Sequence, residues 1–94
     1  MNVKFLEAVC ATAILENGWQ KQAVVALEEL SEAQKEICKF LRGQGDKEHL
    51  AEELADAQIM IMQMEMAFGL TGIIGNWIDK KAQRLSDRLE RGNE

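Results

Sequence analysis

Apolar residues recur at the 3.6-residue spacing of α-helices along most of the chain, and none of the 94 residues is proline. Few segments alternate β-branched and polar residues in the period-2 pattern of a half-buried strand. Glycine-containing breaks separate the periodic segments at Gly18, at residues 43–45 and at Gly69. The sequence therefore predicts an all-α fold, a four-helix bundle-like protomer in which residues 1–94 form one domain.

The helix ends are predicted from capping residues and glycines. Asn17 and Gly18 form a left-handed cap signal that ends the first helix, whereas Asp46 and Thr71 are expected to be the N-caps of the third and fourth. The expected helices span about residues 2–16, 19 or 20–42, 47–68 and 72–91.

Two short acidic motifs lie inside the predicted second and third helices. Successive residues of a helix turn by about 100°, so Glu29 and Glu32 lie roughly 60° apart on one face, and Glu53 and Asp56 repeat that geometry. If the two helices pack antiparallel with these faces inward, the four carboxylates share one small volume. Like charges at such short range favour protonation or destabilise a fold unless a hard cation such as Mg²⁺ neutralises them. The motifs predict a Mg²⁺ site, and the alternative is a solvated acidic face.

The spacing Glu29-x-x-Glu32, then 20 residues, then Glu53-x-x-Asp56 resembles the signature of the all-α nucleoside triphosphate pyrophosphohydrolases, especially small MazG-like proteins. The similarity covers roughly residues 17–90. The resemblance implies that the four acidic residues bind Mg²⁺, which presents a nucleoside triphosphate for attack by water between the α and β phosphorus atoms. The products would be a nucleoside monophosphate and pyrophosphate. It also implies a homodimer or a homotetramer built as a dimer of dimers.

Further polar residues are candidates for catalysis or for substrate binding. Glu32 and Glu36 are the candidate general bases, since Glu36 extends the acidic face by one turn. Six residues are candidates for binding the nucleotide: Trp19, Gln22, His49, Asn76, Lys80 and Arg84. Structural alternatives exist for most of them. Trp19 suits the core, and His49 suits the solvated first turn of a helix. Asn76, Lys80 and Arg84 suit an exposed helix face with surface ion pairs.

The third helix is apolar on two sides. Met60 and Met64 share the face of Glu53, whereas Met62 and Met66 lie on the opposite side. A helix that is apolar on both sides is expected to be buried on both sides. One side suits the chain's other helices, and the other suits a second copy of the protein.

Composition narrows the functional classes. A net charge of −5 argues against a nucleic-acid-binding surface, which normally carries a basic patch. Cys10 and Cys38 lack metal-ligand or redox spacing, so we expect reduced thiols in a cytoplasmic protein, with no secretory or membrane segment.

Three other functions compete with this hypothesis. A phosphoribosyl-ATP pyrophosphohydrolase shares the size and the carboxylate pattern, but the residues after Asp56 do not resemble that family. A non-enzymatic helical dimerisation module would use the fold for interaction and needs no catalytic or metal-binding site. A ferritin-like di-iron bundle requires a Glu-x-x-His motif from each of two helices, and Asp46 stands at that spacing before the single histidine, His49.

Overall fold

A computed structural model describes residues 1–92, which form four α-helices and no strand. The all-α prediction is confirmed. The helices are α1 (Val3–Asn17), α2 (Trp19–Leu41), α3 (Lys47–Phe68) and α4 (Thr71–Arg91). Each end lies within about one residue of the predicted position, a difference smaller than the usual uncertainty of helix boundaries.

Local capping chemistry explains two of the helix starts and corrects a third. The side chain of Asn2 accepts a hydrogen bond from the Phe5 amide at 3.0 Å. Asp46 accepts one from the His49 amide at 2.8 Å, which confirms it as the N-cap of α3. The expected Thr71 cap is wrong: Leu70 occupies that position and makes no side-chain capping bond. The Thr71 hydroxyl instead turns back towards Glu65 of α3, 3.5 Å from its carboxylate.

The α2 and α3 helices form a closely packed antiparallel pair. Their contacts run in opposite order along the two helices: Gln22 lies against Gln63, Glu29 against Asp56, and Glu36 against His49. Small buried side chains line the pair and let the two backbones approach, namely Ala26, Ala33 and Ala57. The antiparallel arrangement follows from the short Gly43–Gly45 turn between the helices.

The α1 helix packs against both members of this pair and places Cys10 in the core, where it is fully buried. A polar chain crosses the same end of the core. Asn17 Nδ2 donates to Gln22 Oε1 at 3.0 Å, and Gln22 Nε2 donates to Gln63 Oε1 at 2.7 Å. Burial raises the pKa of the Cys10 thiol, an effect opposed by its hydrogen bond with Gln63. These bonds satisfy polar groups that would otherwise be costly to bury.

The α4 helix differs from the other three because it contributes no buried residue. It contacts α3 and, within residues 1–92, neither α1 nor α2. The single protomer therefore consists of three packed helices with a fourth beside them, rather than a closed bundle of four. No helix in this described range is both apolar enough and long enough to cross a lipid bilayer.

Candidate metal centre

Three carboxylates converge between α2 and α3. Glu29 comes from α2, and Glu53 and Asp56 come from successive turns of α3; one oxygen of each lies within 4.8 Å of the others. All three residues are half-buried. The i, i+3 spacing places the two α3 residues on one face, and the antiparallel pairing places Glu29 opposite them. We call these three residues the carboxylate cluster.

Among residues 1–92, no lysine or arginine forms an ion pair with the cluster; the cationic neighbour is His49, 3.9 Å from Glu53. Partial burial raises the pKa of Glu29, and the Asp56 carboxylate raises it further by charge repulsion and by a hydrogen bond that requires a proton. Repulsion from Glu53 and Glu28 acts in the same direction. The donors are all carboxylate oxygens, which is the chemistry that hard cations such as Mg²⁺ prefer. The residues present therefore fit the cation that the sequence predicts.

A histidine stands beside the cluster and links three acidic side chains. His49 Nε2 lies 3.3 Å from Glu36 and 3.9 Å from Glu53, and its Nδ1 lies 3.2 Å from Glu52. The hydrogen bond to Glu52 and the charge of Glu36 raise the pKa of the imidazole, with Glu53 and Glu52 adding smaller attractions against the opposing effect of desolvation. Because both ring nitrogens face carboxylates, the imidazole suits the role of a cationic partner better than that of a metal ligand.

Glu36 and Glu32 occupy different environments although both belong to the predicted acidic face. Glu36 is only 3% exposed and is held by Lys39 Nζ at 3.2 Å as well as by His49. Glu32 is exposed and lies 3.8 Å from Lys35. Among the described residues, neither belongs to the group whose oxygens lie within 4.8 Å of one another.

Two predicted nucleotide-binding residues lie at the far end of the helix pair. The half-exposed Trp19 packs edge-to-face on Phe68, with ring centroids 5.3 Å apart. It begins α2, about 15 Å along the helix axis from Glu29. Gln22 is buried, and both ends of its amide are bonded, to Asn17 and to Gln63. The structure thus gives Gln22 a core position that the sequence did not suggest.

The remaining three candidates, Asn76, Lys80 and Arg84, are exposed on α4. Lys80 Nζ lies 5.0 Å from the centre of the Trp77 ring, at cation–π distance. Since α4 does not contact α2 within the described chain, the protomer does not bring these residues to Glu29.

Sequence reasoning missed Glu52 and Lys39, which fix His49 and Glu36 respectively. Both pairs have i, i+3 spacing on a single helix, which is the signal that identifies such contacts. The chemistry available to the site is the binding of a hard cation by clustered carboxylates, next to the buried Glu36, whose partner His49 also lies near Glu53. Comparisons with models of protein families, with curated proteins and with solved structures yield no significant match to this chain.

Proposed function

We propose that this protein is a Mg²⁺-dependent nucleoside triphosphate pyrophosphohydrolase of the MazG-like type, which cleaves between the α and β phosphates. The observation that carries the proposal is the convergence of Glu29, Glu53 and Asp56 from two antiparallel helices. Clustered carboxylates repel one another, and a bound hard cation would offset that repulsion. Here they converge between two helices, where partial burial and, after it, the charges of Asp56, Glu53 and Glu28 raise the pKa of Glu29.

Glu29, Glu53 and Asp56 would hold the metal, and Glu32 is the proposed fourth ligand. Glu32 follows Glu29 by one helical turn and would exchange its exposed contact with Lys35 for the cation. When bound, Mg²⁺ would neutralise charge on the triphosphate and lower the pKa of the attacking water.

The neighbouring residues orient the ligands and handle charge. His49 holds Glu53 on one side and Glu36 on the other, so it fixes the position of a metal ligand. Glu32 and Glu36 both remain candidate proton acceptors: the first is accessible to water, and the second reaches it only by leaving Lys39 and His49. The exposed ring of Trp19 would stack on the nucleobase.

Asn76, Lys80 and Arg84 lie along one side of α4 and would contact the phosphates. The charged groups of Lys80 and Arg84 suit charge-assisted hydrogen bonds to phosphate oxygens. Gln22 is not retained as a substrate contact, because its amide already serves the core. The proposal includes a homodimer or a homotetramer, since a single protomer keeps α4 away from α2.

A screen of the purified protein against the common nucleoside triphosphates with Mg²⁺ tests the proposal, provided that pyrophosphate is resolved from phosphate. Pyrophosphate release that disappears in Glu53→Gln and in EDTA supports it. Release of phosphate alone, or release that survives Glu53→Gln, contradicts it.

A non-enzymatic helical dimerisation module is the second candidate, and the exposed apolar face of α4 favours it. Calorimetric titration separates the two functions. An enzyme of the proposed type binds Mg²⁺ weakly alone and more tightly with a non-hydrolysable triphosphate, and the nucleotide must gain affinity by the same factor. The module predicts no coupling between the two ligands.

A further inference from the structure

The residues of α2 and α3 that face each other follow the same spacing on both helices. The positions recur at alternating intervals of four and three residues, which keeps them within an arc of about 80° on each helix. On α2 they are Gln22, Ala26, Glu29, Ala33 and Glu36, and on α3 they are His49, Glu53, Asp56, Met60 and Gln63. We call these ten residues the α2–α3 seam. Such spacing is typical of helices that pack as a coiled coil.

Three polar contacts cross the seam at equal steps. Each step is seven residues forward along α2 and seven residues back along α3. The contacts join Gln22 with Gln63, Glu29 with Asp56, and Glu36 with His49. A single register of the two helices therefore sets all three contacts at once.

Two of these contacts do little to fix that register. The carboxylates of Glu29 and Asp56 repel each other unless a cation is bound, so the middle contact favours a shift. Glu36 keeps the cation of Lys39, 3.2 Å away on its own helix, in any register. The remaining seam positions are mostly alanines and a methionine, whose small or flexible side chains fit more than one alignment.

The contact between Gln22 and Gln63 is the one that a shift would break without replacement. Both residues are 6% exposed, so water is not an alternative partner. Both are also tied to α1, through Asn17 and through the Cys10 thiol. A shift by one turn moves the helices about 5.4 Å and would leave two buried amides without each other, which is costly. A buried polar residue in a helix seam is a documented means of fixing register.

We propose that the hydrogen bond between Gln22 and Gln63 fixes the register of α2 and α3 and thereby positions the carboxylate cluster. The two glutamines are positioning residues, because they contact neither metal nor substrate and act on Glu29 and Asp56 through the helix pair. The consequence for metal binding rests on the proposed function, whereas the register is measured without metal.

The distance between two spin labels measures the register directly. Lys21 of α2 and Glu48 of α3 are exposed and lie at opposite ends of the pair, about 24 Å apart along the helix axis. The labels are attached to Lys21→Cys and Glu48→Cys in a Cys38→Ser background, and Cys10 stays unlabelled because it is fully buried. Labelled chains are diluted with unlabelled protein so that only labels within one chain are paired. Pulsed electron paramagnetic resonance is expected to give one narrow distance.

Gln22→Met with Gln63→Met removes the hydrogen bond and keeps a side chain of similar length. We expect the distance to shift by about 5 Å, or the distribution to spread by that amount, because neighbouring registers differ by one turn. Gln34→Met with Gln58→Met makes the same change at exposed positions of the same two helices and is expected to keep the wild-type distance. A wild-type distance without the bond, or an equal change in the exposed control, overturns the proposal.

The single variant Gln22→Met takes the place of the double variant if circular dichroism shows that the latter does not fold. Gln63 then keeps its hydrogen bond with the Cys10 thiol. The label distance is judged by the same criterion, so an unchanged distance again overturns the proposal.

Binding of Mn²⁺ alone tests the consequence for the carboxylate cluster, since Mn²⁺ takes the same oxygen ligands as Mg²⁺. Removal of the bond is expected to raise the dissociation constant at least about 10-fold, as for other groups that support metal ligands. The exposed control is expected to bind as the wild type does. Unchanged affinity in a protein with a shifted register overturns the positioning role. A wild type that binds no Mn²⁺ contradicts the proposed function instead, and the label distances then decide the register alone.

Discussion

The helices α2, α3 and α4 have nearly equal lengths but differ in how much of their surface is buried. The three helices contain 23, 22 and 21 residues, and α4 has the most clearly one-sided apolar face. Nevertheless α2 and α3 together bury seven residues, whereas α4 buries none. The difference lies in the partner. Small alanines on facing helices let α2 and α3 approach, whereas α4 finds no matching surface in its own chain.

The two regions also treat polar groups differently. In the α2–α3 pair, the buried amide of Gln22 and the buried Glu36 contact partners on the opposing helix, and three carboxylates converge between the two helices. On α4 the charged side chains are mostly exposed and contact near neighbours on the same helix. An amphipathic pattern thus indicates which face of a helix will be covered. The residues on the opposing surface decide whether the polar side chains of that face serve packing, a binding site or contact with another molecule.

The largest expected effect compares two aspartates. Asp56→Asn removes one carboxylate of the cluster. Under the proposed function it is expected to reduce turnover at least about 100-fold, since loss of a metal ligand would cost several kcal/mol of transition-state stabilisation. Asp79→Asn makes the same chemical change at an exposed position of α4 and is expected to leave turnover unchanged. The measurement is pyrophosphate release, with helicity checked by circular dichroism. Equal rates in both variants would remove the carboxylate cluster from the mechanism.

A second comparison concerns stability and uses two glutamines. Gln63→Ala removes the partner of the buried Gln22 amide and of the Cys10 thiol. Unsatisfied buried groups cost about 1–3 kcal/mol each, so we expect a loss in that range. Gln83→Ala removes a 3.0 Å bond to Asp87 on α4 and is expected to change stability by less than about 0.5 kcal/mol. Urea unfolding at one fixed protein concentration measures both, and similar losses would show that α4 is as well packed as the core.

The sequence predicted the features that depend on local signals. Helix ends follow from capping residues and glycines, and the Asp46 cap is confirmed by its bond to the His49 amide. The convergence of Glu29, Glu53 and Asp56 needed only i, i+3 spacing and an antiparallel pair, both of which can be derived from the chain.

Features that depend on the opposing surface could not be derived in the same way. Gln22 shares the face of Glu29, but at its level of α2 the opposing residue is Gln63 rather than a carboxylate. Glu36 also shares that face and instead meets His49. The isolation of α4 depends on the absence of a complementary surface, which no local pattern of residues records.

A smaller effect is expected in the protein without metal. Glu29→Gln removes a charge that is repelled by Asp56 and Glu53, so we expect its melting temperature in EDTA to exceed that of the wild type by a few degrees. Glu90→Gln on α4 serves as the comparison, since it lies on an exposed turn. If Glu29 is a Mg²⁺ ligand as proposed, added Mg²⁺ is expected to reverse the order, because the wild type would bind the ion more tightly and binding stabilises the folded state. A lower melting temperature for Glu29→Gln in EDTA would show that the glutamate is a structural partner instead.

The smallest expected effect is a pH dependence that distinguishes the α2–α3 pair from α4. Folding raises the pKa of His49, so the imidazolium contributes stability below its ordinary pKa of about 6.5 and loses that contribution as pH rises through the higher folded value. Folding also raises the pKa of Glu29, so its folded form binds a proton more readily and gains stability as pH falls towards 4.5. Both contributions have the same sign, and metal-free protein is expected to melt at a higher temperature near pH 5 than near pH 8. The measurement is the slope of melting temperature against pH in EDTA. The decrease of that slope in His49→Gln and in Glu29→Gln gives the contribution of each residue. Variants that keep the wild-type slope would place the titrating groups elsewhere, and a slope lost in Asp79→Asn would assign it to α4.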